Sequence, residues 1–531
     1  MKNKKQTDKN TKAQGKAAAP AVRPAARRPW GLAAMCLFFV LAWLWASWWM
    51  GDVMRIAYER SFFAADAMLM HWLAQKSFGW LCIAGRALLT LYRWPLAGGL
   101  LVALLLTAGT WLTCYCLRLR NGWRCLSYVP AAAWMLWTAH VGLNLYYMFE
   151  PGRILAIPAL YVVAFGLLAL AMRLFKGDGR KLPLASWRWA VAELLVVALC
   201  FGLSAWHLES RHPYLRTLTH MQVQLLNDDF AGMSATAHEH ADLRNRFVAG
   251  YYAIALARTG QLADRLFDIQ LEFDSITALG YNRKPSFCLN YHIIDCNYHA
   301  GLYRAARHYV MEDMTMDGPS LYSLKYLAKL ALIDGDSVLA RKYFRVIRKA
   351  PFESAFLRRF EPLTGHPELV AADPELAAVI EMAPARHTFE QFFLKPGFLG
   401  YYAVLKAFKN KQALEWSAVA CLYAKRMPNF LLCCEKLVGE SLPRSIAEGL
   451  TIAAVNEPGI LKAFPQLEMQ MNIYEQFIKE AIPYMQNREE GAKVLFEKYK
   501  GYYPYYYYFG NLHDSRKPGD DEQQHNRAGV N

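Results

Sequence analysis

The sequence predicts an all-α protein in two parts, an N-terminal bundle of about five transmembrane helices followed by a tetratricopeptide-like superhelix of α-helical repeats. Three observations lead there. Five runs of 19 or more residues with almost no charge lie between Trp30 and Leu208. Beyond them, charged and apolar residues mix at helical spacing. No stretch alternates apolar and polar residues as a half-buried strand does.

Residues 1–29 read as a disordered basic cytoplasmic tail, since nine Lys/Arg and one acid over residues 1–30 leave no apolar periodicity. Residues 30–209 form the membrane part. Its runs are Gly31–Met50, Trp94–Leu117, Cys125–Phe149, Ile154–Met172 and Trp189–Leu208, with only Glu193 charged inside them. At about 1.5 Å rise per residue each is long enough to cross about 30 Å of hydrocarbon. The first run is too long and too rich in tryptophan for a cleaved signal, so it is expected to stay as an anchor.

The loops orient the spans. Arg118, Arg120 and Arg124, and then Arg173, Lys176, Arg180, Lys181 and Arg188, fall on the side of the basic tail, as positive charge near spans does. The segment 51–93 is charge-balanced and is expected outside the cytoplasm, with residues 61–93 as two amphipathic helices on the outer leaflet or on the bundle. In an alternative, Phe78–Tyr92 spans instead and the far domain flips inside, at a cost of at least about 2.5 kcal/mol for burying Arg86. With five spans, residues 210–511 face away from the tail. In a bacterial inner membrane that side is the periplasm. Residues 512–531 read as a second disordered tail.

Residues 210–531 hold 37 bases and 36 acids, so the positive excess of the chain belongs to the tail and the short loops. A basic groove for nucleic acid is excluded on that ground.

Helical hairpins recur after residue 215. Tyr252–Phe267 is an apolar helix, a turn at Gly260 and a second apolar helix; Tyr298–Val310 turns at Gly301, and Leu332–Phe344 turns at Gly335. Gly301 and Gly335 are 34 residues apart, the period of a tetratricopeptide repeat. In both, an alanine follows the glycine by five residues and a large apolar residue by nine. Gly takes the left-handed position that ends a helix, the alanine admits the facing helix, and the large residue fills the next layer.

These units, with the Glu150-Pro151 turn after a span, Lys395-Pro396 before Tyr401, Leu442–Glu448 and the aromatic Tyr502–Phe509 segment, resemble a family of uncharacterised multi-pass bacterial membrane proteins with a tetratricopeptide-like periplasmic domain. The resemblance implies an integral membrane location. It brings no catalytic residues and no cofactor.

The residues supply no strong chemistry of their own. Phosphate-loop, HExxH, GxSxG, CxxC and GxGxxG patterns are missing. Asp334-Gly-Asp336 resembles a metal-holding carboxylate pair but sits in a repeat turn, where Asp336 is expected to cap a helix. Cys288, His292, Cys296 and His299 recur at helical spacing near Asp295, yet four ligands on one straight helix cannot close a tetrahedron, so a packed face is expected. The tyrosine-rich Tyr499–Phe509 segment is expected to pack by its rings.

Two roles remain. The first is a scaffold that offers a protein or peptide partner a concave periplasmic face, with Tyr251, Tyr252, Tyr291, His292, Tyr298, Glu150 and Arg153 as candidate interface or groove residues. The second is a cell-envelope enzyme or accessory subunit acting on polysaccharide or lipid-linked sugar. A polar chamber enclosed by the bundle and the superhelix and lined by Glu150, Arg153 and residues 61–93 would favour an enzyme, and a closed apolar bundle an anchor.

Overall fold

The computed structural model describes residues 30–119, 121–141, 150–176, 187–211, 214–241, 246–271, 288–383, 410–423 and 425–510. The expected tails 1–29 and 512–531, the Lys395-Pro396 and Tyr401 blocks and the end of the third apolar run at Phe149 lie outside them. The described residues are helical, with no strand.

The chain opens with α1 (Trp30–Leu44), which passes into a π-helical turn at Trp45–Trp49. After the single residue Met50 comes α2 (Gly51–Glu59), then α3 (Ala67–Ala74), α4 (Gly79–Leu89) and α5 (Pro95–Cys116). Next are α6 (Val129–Val141), α7 (Arg153–Lys176) and α8 (Trp187–Arg211). Four stretches are long and apolar enough to cross a membrane: Leu32–Trp49, Pro95–Cys116, Arg153–Leu174 and Arg188–Arg211. Leu167, Leu195 and Leu199 stand well exposed on two of them, the surface that lipid would cover. The third expected run yields the thirteen-residue α6 after a 3-10 segment, and its remainder falls outside the described residues.

α4 is eleven residues long, about 16 Å at the helical rise, and so too short to span. Its Arg86 is buried but paired with Glu150, and it donates to the Phe62 carbonyl at 3.0 Å.

The second part continues with α9 (Leu215–Leu226), α10 (Phe230–Glu239), α11 (Arg246–Arg258) and α12 (Leu262–Arg265). Then follow α13 (Cys288–His299), α14 (Tyr303–Asp317), α15 (Leu321–Ile333) and α16 (Ser337–Ile347). Short helices α17 (Ser354–Phe360), α18 (Pro367–Ala372) and α19 (Pro374–Met382) come next. The chain then forms α20 (Lys411–Tyr423), α21 (Met427–Cys434), α22 (Arg444–Asn456), α23 (Gly459–Ala463), α24 (Glu468–Ala481), α25 (Arg488–Tyr499) and α26 (Tyr503–Phe509).

Helix pairs α10/α11, α13/α14, α15/α16 and α20/α21 pack as sequential hairpins. Several helix starts are chemically marked. Ser320 Oγ accepts from the Ser323 amide at 3.0 Å, and Asp336 from Leu339 at 2.9 Å. Asp373 accepts from Glu375 and Leu376 at 3.0 and 3.1 Å. Each satisfies an amide that the first helical turn leaves open. Gly301 and Gly335 have φ of 80° and 73°, the left-handed conformation their turns require. Ala306, Val310, Ala340 and Phe344 are fully buried, as the plus-five and plus-nine spacing predicts. The Tyr252–Phe267 unit departs from its expectation. After Gly260 its second helix is the four-residue α12, which passes into a 3-10 turn.

The two parts meet on α2, which packs against α9 and α15. The Leu321 amide donates to the Ser61 carbonyl at 3.0 Å, Tyr58 donates to Glu353 at 2.5 Å, and the Trp94 and Phe352 rings meet edge-on with centroids 4.7 Å apart.

Candidate functional site

Charge is concentrated where the two parts join. A cavity of about 250 Å³ opens between α2, the Arg93 turn, α9, α13, α15, α17 and the start of α19. Its walls carry six bases (Arg55, Arg60, Arg93, Lys325, Lys329, Arg359) and five acids (Glu59, Asp228, Asp295, Glu353, Glu375), with Tyr322, Tyr326, Phe356 and Phe360 between them. It is slightly smaller than the roughly 300–1,000 Å³ of common ligand clefts. That is room on the order of eight waters.

The α2 side is organised on Glu59, which is 1% exposed. Its carboxylate meets Lys325 Nζ at 2.7 Å, Arg55 Nη2 at 2.8 Å and Arg93 Nη1 at 3.9 Å. Burial opposes the charged carboxylate, but Lys325, Arg55 and Arg93 more than offset it and hold the pKa at about 2. Lys325 also reaches Glu353 at 2.9 Å. Arg55 is 6% exposed, and its Nη1 has no hydrogen-bond acceptor.

The opposite side is organised on Glu375, buried at the first turn of α19. It takes Lys329 Nζ at 2.6 Å, Tyr298 OH at 3.0 Å and Arg359 Nη2 at 3.4 Å. Burial again favours the neutral acid, while Lys329, Arg359 and the Tyr298 hydroxyl prevail and lower its pKa. Arg359 spans further to Asp228 at 3.0 Å and Asp373 at 3.2 Å.

Between the two sides lies Asp295, 2% exposed, on α13. Three hydroxyls donate to it, Tyr251 at 2.6 Å, Tyr322 at 2.6 Å and Tyr326 at 2.5 Å. Here burial wins over those hydrogen bonds and the Arg60 charge, so the Asp295 pKa is raised. His299 is pushed well below the usual imidazole range by burial and by Arg258 and Lys329, and its Nδ1 has no partner. The cavity therefore offers both a fixed anion set and a protonatable carboxyl beside tyrosine hydroxyls.

Part of the sequence-predicted set converges here. Tyr251 holds Asp295, His292 is wedged edge-on between the rings of Phe247 and Tyr251, and Tyr298 holds Glu375. All three are buried, as is Tyr252, whose hydroxyl donates to the Arg265 carbonyl at 2.8 Å. Tyr291 is on α13, and its side chain lies outside the described residues. Glu150 and Arg153 are elsewhere. Glu150 pairs with Arg86 and Lys76, and Arg153 donates to the Ser77 carbonyl at 3.2 Å, so both fasten α7 to the α3–α4 segment. Of residues 61–93, only Arg93 reaches the cavity.

Asp336 caps α16, as expected, and Asp334 pairs with Arg307. Tyr503, Tyr505 and Tyr506 donate to the carbonyls of Leu422, Ala492 and Tyr423, which packs α26 by its rings and hydroxyls. Among the described residues no three His, Cys, Asp or Glu side chains are grouped to hold a metal.

Sequence reasoning missed α2, because Asp52, Arg55, Glu59 and Arg60 read as a balanced loop. A signal was present: Arg55 and Glu59 are four apart, and Val53, Met54, Ile56 and Ala57 pack the remaining faces. Lys325 and Lys329, also four apart, were concealed inside an apolar helix.

The model of a family described as Family of unknown function (DUF6057) matches residues 146–510, more than half of the chain. No curated protein and no solved structure matches.

Proposed function

This chain belongs to the family of unknown function DUF6057, and from that premise we propose an integral membrane protein whose hairpin region acts as a receptor for a small polar ligand of the saccharide class. The observation that carries this reading is the junction cavity, where buried charges and rings share one wall. Rings stack on the C–H faces of a sugar, and fixed charged groups take its hydroxyls. The reading favours the second of the two expected roles, action on polysaccharide or lipid-linked sugar, as an enzyme or as the subunit that presents the ligand. Support comes from where the polar groups lie. Tyr251 and Tyr298 are buried, and the carboxyl groups they hold, Asp295 and Glu375, face an interior space more than an open groove for a protein or peptide partner.

The reading includes the membrane topology. The basic tail stays in the cytoplasm, and the hairpin region lies in the periplasm of a bacterial envelope, stacked in the manner of tetratricopeptide repeats. The loop charges and the 34-residue spacing of Gly301 and Gly335 support it.

The test uses the full chain in phosphatidylcholine nanodiscs, with glucose, N-acetylglucosamine and glucose 1-phosphate as probes. At least one should raise the melting temperature of the wild type. Ala355→Trp, at an exposed helix position on the cavity wall, should retain the basal melting temperature and lose that response. A wild type indifferent to all three probes would overturn the proposal.

A further inference from the structure

The cavity is electrically lopsided. At the end formed by α2, the Arg93 turn and Lys325, four cations (Arg55, Arg60, Arg93, Lys325) face two carboxylates, Glu59 and Glu353. Glu59 alone is shared by Arg55 at 2.8 Å, Lys325 at 2.7 Å and Arg93 at 3.9 Å. At the other end Lys329 and Arg359 are matched by Glu375 and Asp228, and Arg359 has Asp373 as well. The excess of positive charge therefore belongs to one end.

We propose that this cavity takes a ligand bearing a phosphate monoester, whose phosphoryl oxygens are held by Arg55, Arg60, Arg93 and Lys325 at the end next to the apolar helices. The inference rests on the receptor reading above and specifies its ligand class.

Three observations lead to it. A phosphate monoester carries about −1.5 to −2 near neutral pH, a charge that suits a cation-rich end. Arg55 is more than nine-tenths buried with its Nη1 unmatched by any acceptor, a costly state for a guanidinium unless an oxyanion completes it. Asp295, the acid that faces Arg60, is one whose charged form burial disfavours. Position gives the ligand a direction. Arg93 lies two residues before α5, and Arg55 lies six beyond the π-helical turn of the first apolar helix. The phosphate thus faces the bilayer side, with the ring-lined space beyond it for the rest of the molecule. A lipid head group or a soluble phosphate ester can present this chemistry.

The experiment measures binding of glucose and glucose 1-phosphate to the full chain in nanodiscs at one fixed ionic strength, first in phosphatidylcholine alone and then with phosphatidic acid added. Glucose 1-phosphate should bind at least tenfold more tightly than glucose. Arg93→Gln, at a partly exposed side chain 3.9 Å from Glu59, should reduce that ratio at least threefold, while Lys411→Gln, an exposed position outside the cavity wall, should leave it unchanged. Competition by phosphatidic acid would identify a lipid head group as the source. Tenfold preference without competition would identify a soluble ester. Equal affinity for the two sugars, with phosphatidic acid inert, would overturn the phosphate inference and leave the receptor standing. Failure of both sugars and of phosphatidic acid to bind would overturn both.

Discussion

Asp295 and Glu59 are buried carboxyls with opposite pH behaviour. Glu59 keeps its charge because cations surround it, and its pKa is depressed to about 2. The stability it contributes is present above the usual carboxyl value of 4.5 and is lost as pH falls toward 2. Glu59→Gln leaves Arg55 and Arg93 without their carboxylate and should cost about 3–5 kcal/mol at pH 7. Thermal unfolding of wild type and variant should show that difference shrinking across this acid window. Asp295 has a raised pKa, so its contribution is fully present below the usual 3.8 and is lost as pH rises through the raised value. Asp295→Asn strands one of three tyrosine hydroxyls, since an amide oxygen has two lone pairs, and should cost about 1–3 kcal/mol. The same assay should find that loss larger at pH 4 than at pH 7.

At the scale of helices and turns, the two repeat glycines separate conformational strain from crowding. Both have positive φ, but a Cβ on Gly335 would meet nothing within 4 Å, whereas one on Gly301 would lie 2.5 Å from the Met382 carbonyl carbon. Gly335→Ala should therefore cost only the backbone penalty, about 1–2 kcal/mol. Gly301→Ala must also move backbone at the end of α19 and should cost at least twice as much, measured by melting temperature in detergent. The glycines, Ala306, Ala340, Val310 and Phe344 were legible in the sequence because a hairpin repeats a local spacing. The apolar runs were legible because length and apolar composition together decide whether a helix can cross lipid. The cavity was not, because it joins residues 55–60 to residues 325–375, and no periodic pattern encodes a contact across that separation. A buried ion pair also reads, in sequence, like two surface charges.

For the whole molecule, α2 and the Trp94 turn form the seat of the hairpin region. A phosphatase reporter fused after residue 531 should be active outside the cytoplasm, and activity of a cytosolic reporter at that point would reverse the proposed topology. Removing one contact of the seat is a milder test. Tyr58→Phe loses a 2.5 Å hydrogen bond to Glu353, worth about 1.5–3 kcal/mol for a charged acceptor, and should lower the melting temperature without altering helix content by circular dichroism.

The π-helical turn at Trp45–Trp49 and the lone Met50 connect the first apolar helix almost directly to α2. Under the proposed membrane topology that continuity would make the helix a lever arm whose short end is a wall of the cavity. Apolar helices change tilt when bilayer thickness changes, so Arg55 and Glu59 should shift with it. Ligand affinity measured in nanodiscs of thin and thick lipid should differ, and the protein would then report the mechanical state of the bilayer that holds it.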